Sequence, residues 1–459
     1  MAEHKPSIEH PYYRAFLFGH FMFLVAVFLV LSAFLPIEPP DQPPAPETFK
    51  PGISFDLTAR YVLGVGSFLN TPAYQVPPSQ RAAFTADFAE SLETTALTAG
   101  EQMAVAVVLA ELEDADRATA YLENLTREDW SDQAQEHYAT LYQIYSTPTW
   151  LGDAEAGAAL ASAFGLYGTL AQTFPREGLP PELEAARETV RNKTRRTATA
   201  LMVWMGVGLV LFFAAFPVAA VMGRRFIKGA SRWGQASLNQ KLPVHRTAFL
   251  EAMSAFMWFF IFFAVMSAFL PMMFQWLAFA LPVGWLVLRG TDLDHIVFGV
   301  GLHRGRGIPR EMLSGFIGYL AGIPILLLGF LLTLTLMNQT GSQADHPVVE
   351  LFAQGGTFQK LNLLVMACVA APIFEEIIFR GIFYHYLRGT AAAAGAALIT
   401  GFFFAILHPQ GWAAVPMLTA IGFVFAMIRE WRGSLVASMT AHALNNLIPI
   451  SLLLIFYGG

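Results

Sequence analysis

An all-α, polytopic membrane fold is the class this chain predicts, on three observations. Of its 459 residues 55% are apolar and only 14% charged, with a mean hydropathy of +0.48, whereas soluble domains carry about 25% charged residues. Apolar runs recur at about 20 residues, the length that crosses a bilayer as helix. Between the first two runs lies a long acidic segment with helical patterning and Pro-rich punctuation at its start.

The runs give about nine membrane helices, over 14–36, 198–222, 247–270, 272–288, 313–337, 358–387, 391–408, 412–428 and 434–457. The first has no small-residue cleavage site before its Pro-rich exit, so it reads as a retained anchor and not a signal peptide. The third and fourth are separated only by a tight turn near Pro271. Arg and Lys cluster after the second, fourth, sixth and eighth runs, including Arg224, Arg225, Arg304, Arg306, Arg388, Arg429 and Arg432. With alternating crossings all of these share one side, which the positive-inside rule makes the cytoplasm. The N-terminus is then cytoplasmic and residues 37–195 extracytoplasmic, an arrangement expected of a bacterial inner-membrane protein. These considerations divide the chain into an anchor (1–36), an acidic helical domain (37–195), a second membrane helix with a basic cytoplasmic loop (196–246) and a C-terminal membrane domain (247–459).

Residues 41–195 hold 22 acidic against 10 basic side chains, a net of −12 within a chain of net −6. There is no basic, aromatic-interleaved surface for nucleic acid. The Pro-rich start, Leu35 to Pro46, reads as an extended spacer. Thr98-Ala-Gly-Glu101 is a capping box ahead of the apolar run Met103–Leu112. Helical patterning continues over 115–124, 128–146, 153–174 and 181–197, the last running into the second membrane helix. A helical-repeat module and a plain helical bundle both fit. Residues about 75–190 are expected to fold alone, and the domain could serve either to hold a protein partner or to cap the membrane region. The lone cysteine, Cys368, lies in an apolar run and reads as packing.

Chemistry concentrates in 72 positions near the C-terminus. Glu375, Glu376, Arg380, His408, His442 and Asn446 all interrupt membrane-grade sequence. One such ionisable group costs about 2.5–3.5 kcal/mol on insertion scales, so several together imply use. Glu376 and Arg380 are four apart and share a helix face, where an ion pair fits. Glu375 points about 100° away from Glu376 and has no local partner, the profile of a general base. Phe404 stands four before His408 and can cover one imidazole face. His442 and Asn446 are four apart on the last run, and imidazole and carboxamide donors aimed at one point can stabilise an oxyanion. Convergence requires the helix leading to His408 to start late, near Gly395, or to tilt. Arg388, Arg429 and Arg432 read as interface anchors.

Two other readings stay open. Glu375, His408 and His442 form a two-His-one-carboxylate set able to take Zn2+, although no cofactor is expected on the main reading. The buried acids and histidines could instead form a proton relay in a transporter or an immunity-type binding protein, but the runs show no inverted repeat.

The ordered pattern Glu-Glu-x-x-x-Arg, Phe-x-x-x-His, His-x-x-x-Asn, with His408 33 residues after Glu375 and His442 34 after that, resembles the CPBP family. These are the CAAX proteases and bacteriocin-processing (abortive-infection) intramembrane endopeptidases. The resemblance covers roughly 310–457. It implies a helical membrane protease acting on a membrane-associated protein or peptide, with Glu375 and His408 activating water and His442 and Asn446 forming the oxyanion site. Glu376, Arg380 and Phe404 are then supporting residues.

Overall fold

The computed structural model describes residues 11–32, 49, 51–69, 78–147, 154–175, 179–229, 243–266, 277–340, 349, 351–352, 355–408 and 410–458; among these there is helix and no strand. The Pro-rich spacer after Leu35, the turn at Pro271 and the loop carrying Arg232 and Lys241 lie outside the described residues. The chain forms two compact units, Met1–Glu38 with Gly208–Ser451, and Pro39–Val207 with Leu452–Gly459.

In chain order the first helix is α1 (Pro11–Ser32). The acidic unit follows with α2 (Ile53–Leu69), α3 (Pro78–Thr95), α4 (Ala99–Leu112), α5 (Ala115–Glu123), α6 (Asp132–Ser146), α7 (Ala154–Phe164) and α8 (Leu166–Gln172). Every residue of α4 from Met103 to Ala110 is buried. A helix apolar on all sides must be surrounded, and α2, α3, α5, α6 and α8 all pack on it. One central helix with others around it makes this unit a bundle and not a stack of repeats. The capping box forms as the sequence predicts: the Glu101 amide donates to Thr98 Oγ1 at 3.2 Å and the Thr98 amide to Glu101 Oε2 at 3.1 Å. Glu101 Oε1 also accepts from the Gly52 amide at 3.1 Å. Two expectations change. The helix expected over 153–174 breaks at Gly165, whose φ of +57° lies in the left-handed region that glycine tolerates. And the core includes Phe49, Phe55, Ala59 and Val62, so a fragment starting near 75 omits part of it.

α9 (Pro181–Gly229) is continuous for 49 residues, as the sequence predicts, and its apolar window is almost wholly exposed. Then come α10 (Pro243–Met266), α11 (Leu277–Leu288), α12 (Leu293–Val300), α13 (Ile308–Thr340), α14 (Thr357–Arg388), α15 (Ala393–Ile406), a 3₁₀ turn at Trp412–Ala414, α16 (Val415–Arg432) and α17 (Leu435–Tyr457). Among the described residues five helices are long and apolar enough to cross a membrane: α9, α13, α14, α17 and the Trp412–Arg432 stretch containing α16. Shorter apolar helices lie at Phe18–Val30, Thr247–Phe263 and Ala393–Ile406. α1 shares the core of the C-terminal helices: Phe23 packs on Phe383 and Phe403, and Trp258 Nε1 donates to the Met22 carbonyl at 3.2 Å.

Close backbone approach sets this packing. On α13, Gly322 faces Val424, and Gly329 lies against the Pro416 carbonyl and Ala420 on α16. Where α15 crosses α16, a Cβ on Gly401 would stand 2.5 Å from the Thr419 carbonyl, and one on Gly422 would stand 2.4 Å from Gly401 Cα. Small residues let membrane helices approach this closely and gain contact.

Candidate active site

Three segments bring the polar residues together. α14 does not keep one helical geometry. Met366–Ala370 and Ile377–Phe383 are π-helical, and between them sits a short α-helical stretch, Ala371–Glu376, that ends on the two acids. Pro372 within it has no amide hydrogen and its ring crowds the carbonyl four residues back, a local reason for the ladder to widen before it. His408 lies two residues beyond the end of α15, not within a long span. The helix starts at Ala393 and has 14 residues, about 21 Å at the usual rise. The start at Ala393 falls two residues before the late start near Gly395 that convergence calls for, and the end at Ile406 corrects the expected 391–408 helix. His442 and Asn446 stand one turn apart on α17.

One side of the site is sealed. Glu376 and Arg380 have no exposed surface. Glu376 Oε1 accepts from Arg380 Nη1 at 2.8 Å and contacts His442 Nδ1 at 3.1 Å. Arg380 Nη2 donates to the Gly422 carbonyl at 3.2 Å, and the guanidinium lies 4.5 Å from the Phe404 ring and 5.1 Å from Phe425. Aromatic faces attract a desolvated cation, so the membrane-buried charge is held by a carboxylate, a carbonyl and two rings.

The other side is reachable. The side chains of Glu375 and His408 are 20% and 21% exposed. Glu375 Oε2 lies 3.7 Å from His408 Nε2 and 3.7 Å from His442 Nε2, and it has no hydrogen-bond partner among the described residues. His408 Nδ1 is 2.6 Å from the Phe404 carbonyl. A carbonyl only accepts, so Nδ1 carries the hydrogen. The same holds for His442 Nδ1 facing the Glu376 carboxylate. With both rings neutral, each Nε2 presents a lone pair, and three acceptor atoms face one small space. Phe404 packs on His408 at 4.2 Å between centroids, and Phe425 stacks on His442 at 4.9 Å.

Asn446 is near this set but bonded elsewhere. Its Nδ2 donates to the Ala367 carbonyl at 2.8 Å in the first π-helical stretch, and its Oδ1 accepts from Asn445 Nδ2 at 3.2 Å. Tyr319 on α13 donates to Asn445 Oδ1 at 3.3 Å. Residues 357–448 match the family model described as "Type II CAAX prenyl endopeptidase Rce1-like". Over this segment the chain is similar to the CAAX-protease family. No curated protein and no solved structure matches the chain. The match over this segment supports a hydrolase of the protease class, and the helices long and apolar enough to cross a membrane support an integral membrane protein.

Sequence reasoning did not reach several residues that surround this set. Phe425, Gly422, Asn445 and Tyr319 carry no spacing signal of their own. The interface-anchor reading of the arginines also changes. Arg429 is fully buried and donates to the Gly299 carbonyl at 3.0 Å. Arg432 forms a double hydrogen bond with the fully buried Glu311, and Arg388 does so with Glu430. All three tie helix to helix, Arg388 and Arg432 through a carboxylate as a buried charge calls for, whereas Arg429 Nε and Nη1 have no hydrogen-bond partner among the described residues.

Proposed function

We propose that the protein is an intramembrane endopeptidase that hydrolyses a peptide bond of a membrane-associated, CAAX-type protein or peptide, with Glu375 as general base. The observation that carries the reading is the convergence of Glu375 Oε2 and two imidazole lone pairs, 3.7 Å from each ring nitrogen. A water placed there donates one hydrogen to Glu375 and one to a histidine, which leaves an oxygen lone pair free for a carbonyl carbon. As the water attacks, Glu375 takes its proton and passes it to the leaving amide nitrogen. Asn446 supplies an N–H to the developing oxyanion; His442 joins it in that role where its Nε2 has taken up a solvent proton before the water binds, and His408 then receives the water's second hydrogen. Glu376 and Arg380 hold the ring of His442 in place and take no proton. The partial exposure of Glu375 and His408, against the sealed Glu376, supports this division of labour.

The same three atoms are a donor set that zinc accepts, and each histidine has its other nitrogen fixed by a second partner, as metal-bound histidines do. Tetrahedral zinc brings its ligand atoms to about 3.3 Å from one another, so this trio would have to close by a few tenths of an ångström. Among the described residues no group of three is already drawn close enough to hold a metal. A bound zinc would act as a Lewis acid on the scissile carbonyl. We place the N-terminus in the cytoplasm and residues 37–195 on the outer face of a bacterial inner membrane, from the distribution of Lys and Arg.

The test uses purified protein in proteoliposomes and quenched-fluorescence peptides ending in a CAAX sequence, with and without a farnesyl group. Glu375→Gln is nearly isosteric and cannot take the proton, so turnover is expected to fall by about 10²–10⁴-fold. A variant retaining more than about a tenth of the rate removes Glu375 as base. Stoichiometric zinc that is lost in His442→Ala but kept in Asn446→Ala would replace the metal-free mechanism.

A further inference from the structure

We propose that Tyr319 and Asn445 are positioning residues that orient and polarise the Asn446 carboxamide; this deepens, and rests on, the reading of Asn446 as an oxyanion donor. The argument begins at the Ala367 carbonyl, which can only accept. Its 2.8 Å contact therefore fixes Nδ2 of Asn446 on that side, and Oδ1 must face the other way. There it meets Asn445 at 3.2 Å, which must offer Nδ2. Asn445 Oδ1 is then left facing outward, and it meets the one group in the row that can donate to it without conflict, the Tyr319 hydroxyl at 3.3 Å. Each donor and acceptor sense follows from the previous one.

The row runs from α13, through two neighbouring residues of α17, to the π-helical stretch of α14 that leads into Glu375. All four groups are at least partly buried. In such surroundings each hydrogen bond strengthens the next. Asn446 is thereby prevented from flipping its amide, and its second N–H, which makes no other hydrogen bond among the described residues, is the better donor. An amide free to flip would present its oxygen to a developing oxyanion half of the time. Asn445 was invisible as a functional residue because it points about 100° away from Asn446 on the helix.

The experiment compares Tyr319→Phe, Asn445→Leu and Asn446→Ala, alone and with Asn446→Ala as background, in the proteoliposome assay. Tyr319→Phe deletes one oxygen and is expected to lower kcat about three- to tenfold, the effect of one neutral hydrogen bond, with KM unchanged. Asn445→Leu removes the partner of Oδ1 and is expected to approach the loss in Asn446→Ala, about 10²–10³-fold. In the Asn446→Ala background neither change should lower kcat further; a role limited to helix packing would give additive losses and a matching fall in melting temperature. If Asn446→Ala is impaired while Tyr319→Phe and Asn445→Leu turn over normally, or if their losses add in the double variants, the positioning role is overturned and the oxyanion reading stands. If Asn446→Ala itself has a normal kcat, or if wild-type protein cleaves none of the peptides, both fall together.

Discussion

Two adjacent glutamates differ in everything except their side chain. Glu376 has a guanidinium, an imidazole and no solvent; Glu375 has a fifth of its surface exposed and an oxygen with no partner among the described residues. Their substitutions should therefore separate. Glu376→Gln leaves Arg380 buried beside a neutral group, which costs about 3–5 kcal/mol for a truly buried pair, so its melting temperature in detergent should fall well below that of wild type. Glu375→Gln should melt as wild type does. Equal melting of the two variants would show that Glu376 and Arg380 are not paired as described. The Glu376–Arg380 pair is legible in the sequence because a helical spacing of four is visible in a string of letters. It could not show that His442 bridges them, since residues 66 positions apart meet only through the fold. Nor could it show that Phe425 covers His442, because one more phenylalanine in a chain with 40 carries no signal.

The helices position the site through contacts between backbones. Gly401 and Gly422 let α15 and α16 touch, and Gly422 also offers its carbonyl to Arg380. A side chain at position 401 would strike the Thr419 carbonyl and the Phe423 amide, which are backbone and cannot swing away. Gly401→Leu is expected to push α15 off α16, carry His408 from Glu375 and abolish turnover even where the protein still reaches the membrane. Gly395→Leu, where a Cβ meets nothing within 4 Å, is the matched control and should retain activity. A fully active Gly401→Leu protein would mean that the two helices do not cross at these glycines. Helix existence is legible from hydropathy in the membrane region for every helix but α12 (Leu293–Val300), which no predicted run covers. Helix ends were less so: the apolar run 391–408 continues past the point where the helix stops, because hydropathy does not register where the backbone turns.

At the scale of whole units, the acidic one carries a core of its own around α4. A fragment of residues 49–200 should be helical with a cooperative melt, whereas 75–190 lacks α2 and Phe49 and should not melt cooperatively. The opposite ranking would show that α2 is dispensable. The fragment also carries a buried histidine. His137 is buried with the rings of Phe49 and Phe164 edge-on at 5.0 and 5.4 Å, and burial holds its imidazole below the ordinary range against a weaker opposing pull from Glu136. The folded unit keeps the ring neutral while the unfolded chain takes up a proton near about pH 6.5. A lowered folded value means stability is complete above that pH and is lost as pH falls from it toward the folded value. Melting between about pH 7 and pH 5 should drop more in the 49–200 fragment than in its His137→Leu variant. A parallel drop in both would assign the effect to other groups.

The two π-helical stretches of α14 have a consequence for how the chain is read. Each turn of that kind holds more residues than an ordinary turn, as though a residue had been inserted and the helix had bulged and not broken. The angular phase counted from Thr357 is therefore lost before Glu375 and changes again before Tyr384. The stretch Ala371–Glu376 is a short cassette between two dislocations. Its acids face the histidines by a registry that neither flanking segment specifies, so a wheel drawn from either end of the helix would place them on the wrong side.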